Sequence, residues 1–154
     1  MTMEERLILE NQILTREGFS QFQIYTGQTA GNYYLWGEQR TNKGNFYKIW
    51  SPMPSTYPYS KPPVYVYEPN PLWAHGGNKT VNSFGENGTS HKMHTLTNGP
   101  NGEVQICHWH PDRWHSGITL NHVMLKVVLW LEAYEQHRDT GKDICDFVRT
   151  MVQT

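Results

Sequence analysis

The sequence is organised around residues 102–114, which read GEVQICHWHPDRW. This stretch places Cys107 directly after a short apolar alternation formed by Val104 and Ile106. Aromatic and imidazole side chains crowd the C-terminal side of the cysteine, and a glycine-containing polar loop precedes it. A buried structural cysteine needs no such neighbours. A nucleophilic cysteine needs groups that favour the thiolate and a position that a partner can reach.

The length and composition predict a single domain spanning residues 1–154. A chain of 154 residues is long enough for one substantial core, and it is rich in Trp and Tyr but modest in charge, which is typical of a folded protein. The 13 basic and 14 acidic residues nearly cancel, so net charge gives no reason to expect bulk binding to nucleic acid or to an anionic membrane. We expect neither of these as a partner, and we expect no cofactor.

The two cysteines, Cys107 and Cys145, are expected to be reduced thiols. No apolar run near the N-terminus indicates secretion, and the longest apolar run, residues 123–131, is interrupted by Lys126 and is too short to span a bilayer. The predicted localisation is therefore cytoplasmic, where disulfides are rare. Cys145 lies in an apolar helical stripe and is predicted to belong to the core.

The first half of the chain predicts a helix followed by an antiparallel meander. Residues 3–16 have an apolar stripe and acidic residues in the first turn, with Gly18 as the stop. Three candidate strands follow at residues 22–25, 33–40 and 45–50. A hairpin-type turn joins the last two, so we expect them to pair as antiparallel neighbours.

The middle of the chain predicts a stiff crossing segment, a fourth strand and a long loop. Residues 51–63 contain five of the nine prolines, and proline lacks the N–H that a central strand requires. Residues 64–67 alternate valine and tyrosine, which predicts a strand with the two residue types on opposite faces. Residues 69–100 are mostly Gly, Asn, Ser, Thr, His and Pro, and they predict a long loop of the kind that usually carries function.

The strongest helical periodicity follows the cysteine. Apolar residues recur at helical spacing from Leu120 to Tyr134, and residues 139–141 end the pattern. Residues 143–152 predict a last short helix, with four apolar side chains facing inward: Ile144, Phe147, Val148 and Met151. The order of helix, meander of about four strands, cysteine-bearing loop and two helices predicts an α+β fold with helices on one side of an antiparallel sheet.

Three segments together resemble the ubiquitin-conjugating enzymes. Residues 46–67, which read YPYSKPPV at 57–64, are similar to that family's strand, tyrosine–proline turn and double-proline strand. Residues 102–107 resemble its glycine-x-isoleucine-cysteine active-site strand, and residues 114–120 resemble the tryptophan-containing segment that opens the following helix. The resemblance covers most of residues 45–131 in the family's order, and it implies a ubiquitin-conjugating-enzyme-like fold.

Two departures make the chain more similar to divergent bacterial relatives of this family. The histidine–proline–asparagine tripeptide before the family's cysteine is absent, and the nearest candidates are His94 and Asn98. The leucine–aspartate pair after the cysteine is replaced by His108 and Trp109. Similar relatives occur in bacterial antiphage operons. In the CBASS type, the conjugating protein acts on the C-terminus of a cyclic-dinucleotide synthase, and in another type it works with a bacterial ubiquitin-like protein and an activating enzyme.

The resemblance implies that Cys107 accepts a protein C-terminal carboxylate as a thioester and passes it to an amine, which divides acyl transfer into two easier steps. The implied partners are a CBASS synthase or a ubiquitin-like protein as donor, together with an activating enzyme. Proximity makes His108 and His110 the predicted helpers, because nearby cations favour the thiolate and imidazoles transfer protons. Asn98 is a candidate donor to the oxyanion of the tetrahedral intermediate, with a role in turn geometry as its alternative.

Three alternatives stand beside the thioester hypothesis. Cys107 can be a buried structural cysteine, or the same fold can serve as a catalytically inactive module that docks a partner enzyme. His91, His94 and residues 107–110 also contain enough nitrogen and sulfur ligands for a tetrahedral zinc ion, although structural zinc sites usually use paired cysteines at short spacing. Trp114, which matches the family tryptophan, is predicted to anchor the active-site loop by packing beneath it.

Overall fold

The structure is a computed structural model, and it describes the backbone of residues 1–152 and the side chains of residues 1–148. The fold is α+β, with six strands in one antiparallel sheet in the order β1-β2-β3-β4-β6-β5. The elements are α1 (Met3–Arg16), β1 (Phe22–Thr26), β2 (Tyr33–Arg40), β3 (Phe46–Pro52), β4 (Val64–Glu68), β5 (Thr95–Leu96), β6 (Val104–Ile106), α2 (Leu120–Thr140) and α3 (Ile144–Val152).

The N-terminal helix α1 has the bounds that the sequence predicts. Its start is fixed by a capping box, in which the Thr2 hydroxyl accepts a hydrogen bond from the Glu5 N–H and the Glu5 carboxylate accepts one from the Thr2 N–H. Beyond its last turn, Gly18 adopts a φ of 88°, which glycine tolerates without steric cost. Leu7 and Leu14 face the core, as the apolar stripe indicates.

A buried carboxylate connects α1 to two distant parts of the chain. Glu10 is fully buried and accepts hydrogen bonds from Arg6 Nε at 2.8 Å, the Tyr57 hydroxyl at 3.1 Å and the Leu120 N–H at 2.7 Å. The Leu120 N–H is one of the unpaired donors at the start of α2, where a negative charge also interacts favourably with the helix dipole. Glu10 therefore caps α2 from another helix and fixes where the chain re-enters helix after Cys107.

The sheet has two more strands than the predicted meander. The strand at residues 64–67 is confirmed, with Val64 and Val66 fully buried and the two tyrosines on the other face. The sheet extends beyond the four strands of the predicted meander, because β5 and β6 add a short hairpin beside β4. β6 coincides with the alternation of Val104 and Ile106 before the cysteine, whereas β5 has two residues and is too short for an alternating pattern to be recognised.

The segment predicted as a long loop, residues 69–100, is mostly irregular but follows a fixed path. It contains two short 3₁₀ turns as well as β5. Leu72, Val81 and Met93 are fully buried or nearly so and anchor it to the core. Burial of these few apolar side chains gives the segment contacts with the core at three widely spaced points.

The two C-terminal helices also lie close to their predicted positions. The predicted inward side chains of α2 are buried except for Val128, which is half-buried, and Gly141 ends the helix at a φ of 79°. In α3, Ile144 is buried and Phe147 and Val148 are half-buried as predicted, while the Met151 side chain lies outside the described part. No described helix is long and apolar enough to cross a membrane.

We predict that Glu10→Ala lowers the free energy of unfolding by about 3 kcal/mol, because it leaves buried hydrogen-bond donors on Arg6, Tyr57 and Leu120 without their acceptor. Urea denaturation measures this loss. Glu4→Ala makes the same change on an exposed position of α1 and should stay within about 0.5 kcal/mol of wild type. Equal losses for the two variants would contradict the linking role of Glu10.

Candidate active site

Cys107 lies directly after β6, at the edge of a cavity. Its N–H donates to the His94 carbonyl oxygen at 3.1 Å, which continues the β5–β6 pairing by one residue beyond the Thr95–Ile106 pair. The Cys107 side chain is a half-buried thiol. It lines a cavity of about 420 Å³, whose walls come from the segment after β6, from α2 and from α3.

The cavity is cationic and aromatic in character. Its exposed lining residues include His91, His110 and Arg113, and its buried lining residues include Trp130 and Cys145. None of the described side chains that line it is an aspartate or a glutamate. The cavity therefore favours neutral or anionic groups over cations.

Lys61, which no local sequence pattern singles out, is the cation that acts on Cys107. Its Nζ donates to the Trp109 carbonyl oxygen at 2.9 Å, and the side chain is half-buried. Burial raises the pKa of the Cys107 thiol, and the Lys61 ammonium opposes that rise. Burial lowers the pKa of Lys61, whereas the negative charge of the Cys107 thiolate raises it. The two groups thus form an electrostatically coupled pair.

The pairing of β4 with β6 explains why Lys61 reaches the cysteine. Val64 pairs with Ile106 in an antiparallel register, so residues before Val64 lie beside residues after Ile106. The residues YPYSKPPV predict only a turn and a strand. Lys61 and Cys107 are 46 positions apart, so their approach leaves no local sequence pattern and depends on the pairing of β4 with β6.

His108 does not have the cationic role that the sequence suggested. It is 4% exposed, and its Nε2 donates to the Pro62 carbonyl oxygen at 2.7 Å. Burial lowers the pKa of His108 to about 4, so the ring is neutral at pH 7 and cannot stabilise the thiolate as a cation. The ring packs edge-to-face against Trp114. His108 therefore fastens the active-site segment to the proline-rich segment.

His110 lines the cavity that the Cys107 thiol lines, and Asn98 does not. His110 is exposed, lines the cavity, and accepts a hydrogen bond at Nδ1 from the Asp112 N–H at 3.2 Å. The Asn98 N–H donates to the Asn87 carbonyl oxygen at 2.8 Å and its Oδ1 accepts from Asn82 Nδ2 at 3.1 Å, contacts that fit the role in turn geometry.

The zinc alternative has no support from the arrangement of side chains. His91, His94, Cys107, His108 and His110 all line the cavity. Within the described part of the chain, however, no group of three or more His, Cys, Asp or Glu side chains is placed to hold a metal ion. His91 Nε2 and Cys145 Sγ lie 3.5 Å apart.

Two tryptophans hold the segment that follows Cys107. Trp114 packs against the core and donates from Nε1 to the Pro58 carbonyl oxygen at 3.0 Å, which agrees with its predicted anchoring role. Trp109 lies beneath the Lys126 ammonium, 4.7 Å from the ring centroid, in a cation–π contact. These contacts hold the segment after Cys107 against the proline-rich segment and α2.

In comparisons with known proteins, the chain matches no protein-family model and no curated protein.

We predict that Lys61→Met raises the pKa of the Cys107 thiol, because the ammonium that favours the thiolate is lost. Alkylation of Cys107 by iodoacetamide should then become several-fold slower at pH 8, and its pH midpoint should move upward. Peptide mass spectrometry separates Cys107 from Cys145. Lys92→Met removes an exposed lysine that does not line the cavity and should leave the midpoint unchanged. The same midpoint in wild type and Lys61→Met would contradict the coupling.

We predict that stability falls as the pH drops from 6.5 to 4 because His108 must remain neutral when folded. In the unfolded chain the imidazole takes up a proton near pH 6.5, whereas in the folded chain it does so only near pH 4. Between these values the unfolded state binds more protons, which costs roughly 3 kcal/mol of folding free energy. His108→Gln should lose this part of the pH dependence in urea denaturation. The exposed variant His115→Gln should retain it, and identical slopes in all three proteins would contradict the assignment.

Proposed function

We propose that the chain is an acyl carrier and transferase of the ubiquitin-conjugating type, with Cys107 as the residue that forms the thioester. The observation that carries the proposal is the half-buried Cys107 thiol at the edge of a cavity with Lys61 coupled to it. Burial raises the pKa of this thiol, and the Lys61 ammonium is the group that opposes the rise and so favours the nucleophilic thiolate. The order of α1, antiparallel sheet, cysteine and C-terminal helices supports the same family assignment.

The two transfer steps follow from thiol chemistry. In the first, the Cys107 thiolate attacks an activated C-terminal carbonyl, an S–C bond forms, and the activating group leaves with its bonding electrons. In the second, an amine attacks the thioester, a C–N bond forms, and Cys107 leaves as thiolate while the amine loses a proton. Lys61 favours the thiolate in both steps, first as the attacking group and then as the leaving group.

The proposed donor is a protein C-terminus. Within the proposal we favour the CBASS arrangement, in which the C-terminus of a cyclic-dinucleotide synthase is activated by a separate enzyme and loaded onto Cys107. A bacterial ubiquitin-like protein would use the same thiol, so the identity of the adduct distinguishes the two arrangements. The reducing cytoplasm suits either one, because it keeps a catalytic thiol free of disulfide.

The test is a covalent adduct in the cells whose genome encodes the chain. A tagged wild-type chain should give an adduct on a denaturing, non-reducing gel that disappears with excess thiol, and mass spectrometry of the adduct identifies the donor. Cys107→Ala should give none, and because this variant retains Cys145 it also tests for nonspecific thiol loading. Cys107→Ser should convert the adduct to a thiol-resistant ester. An adduct that persists in Cys107→Ala, or its absence from wild type, would overturn the proposal.

A further inference from the structure

His94 faces Cys107 across the end of the β5–β6 hairpin. Its carbonyl oxygen accepts hydrogen bonds from the Cys107 N–H and from Trp130 Nε1, each at 3.1 Å. Its φ is 54°, in the left-handed region that a non-glycine residue rarely occupies. The two hydrogen bonds hold the backbone in this conformation and place the residue directly opposite the thiol-bearing one.

The His94 imidazole lines the same cavity as the Cys107 thiol. Burial, followed by the charges of His91 and Lys126, lowers the pKa of His94. The ring is therefore neutral at pH 7, with one nitrogen lone pair available to take a proton. The other titratable or charged groups that line this cavity are Cys107, His108, His110, Arg113 and Cys145.

The charged side chains that line the cavity favour the neutral form of an incoming amine over its protonated, ammonium form. Arg113 and Lys126 line it, and no described lining side chain is a carboxylate that could attract an ammonium group. An amine therefore enters more readily when it is neutral. At pH 7.5 an α-amino group, with a pKa of about 7.8, is about one-third neutral, whereas a lysine side chain, with a pKa of about 10.4, is about one-thousandth neutral.

We propose that this cavity receives the acceptor amine in its neutral form and that His94 removes its proton as the amine attacks the Cys107 thioester, so that α-amino groups are favoured over lysine side chains. The C–N bond forms, the C–S bond to Cys107 breaks, the thiolate leaves with the bonding electrons, and the amine proton passes to the free nitrogen of His94. The inference rests on the proposed function, since it concerns the second step of that reaction.

The test loads Cys107 with a defined probe, the thiobenzyl ester of N-acetylglycine, and follows discharge by intact mass after the probe is removed. The acceptors are glycinamide, which has an α-amine, and Nα-acetyl-lysine amide, which has only a side-chain amine. The same acyl group on a short cysteine peptide gives the uncatalysed rates. His94→Asn is the main variant, because asparagine tolerates the left-handed conformation but is not a base. His115→Gln, which is exposed and does not line the cavity, is its control.

We expect wild type to discharge to glycinamide about 100-fold faster than His94→Asn, which is the lower range for general acid–base catalysis. Divided by the concentration of neutral amine, the wild-type rate should be constant above pH 6.5 and fall at lower pH as His94 is protonated, and His94→Asn should lack this fall. The preference for glycinamide over the lysine amide should be no smaller than that of the cysteine peptide, because no described lining side chain is a carboxylate that would help a lysine ammonium bind or lose its proton. His115→Gln should match wild type in all three measurements.

The failures of the two hypotheses are distinguishable. If Cys107 does not load while the cysteine peptide does, the proposed function is contradicted. If Cys107 loads and the rate, pH profile and acceptor preference are the same in wild type and His94→Asn, the role of His94 is overturned and the thioester function stands. A preference clearly smaller than that of the cysteine peptide, with a normal His94 pH profile, overturns the selection of neutral amines by the cavity.

Discussion

The buried Glu10 carboxylate is the constraint on which the position of the active-site segment depends. A buried carboxylate is costly unless it is paired and hydrogen-bonded, so its three partners must be held together in the folded state. Those partners belong to α1, to the proline-rich segment at Tyr57, and to the start of α2 at Leu120. The chain between β6 and α2, which carries Cys107, is therefore fixed at the end where it enters α2.

The other end of that segment is fixed by contacts with the same proline-rich stretch. Three hydrogen bonds join the two stretches. His108 donates to the Pro62 carbonyl oxygen and Trp114 to the Pro58 carbonyl oxygen, and in the other direction Lys61 donates to the Trp109 carbonyl oxygen. Prolines lack an N–H but keep their carbonyl oxygens, so residues 58–63 cannot extend a central strand and instead accept bonds from side chains. The prolines that prevent these residues from forming a central strand thus leave carbonyl oxygens that hold the segment between β6 and α2.

The sequence predicted the parts of the fold whose information is local. The helix periodicity of α1 and α2 and the alternation in β4 are repeated often enough to be recognised, and Cys107 was placed correctly after a strand. The chemistry of the side chains around it was harder to predict, because the fold and not the position in sequence sets their environment. His108, next to the cysteine, is buried and neutral. Lys61 approaches Cys107 through the pairing of β4 with β6, which a single sequence does not encode locally.

Burial and Lys61 act in opposite directions on the Cys107 thiol, and both effects suit an acyl carrier. A higher thiol pKa makes the thiolate a poorer leaving group, since thiols of lower pKa leave faster. A thioester on a half-buried cysteine is therefore less readily lost to a chance nucleophile. Transfer to an amine remains feasible in the proposed reaction, because the charge of Lys61 stabilises the departing thiolate. In that proposed reaction, His94 acts as a base on the incoming amine, so discharge would depend on the arrival of that amine and the thioester would be long-lived without it.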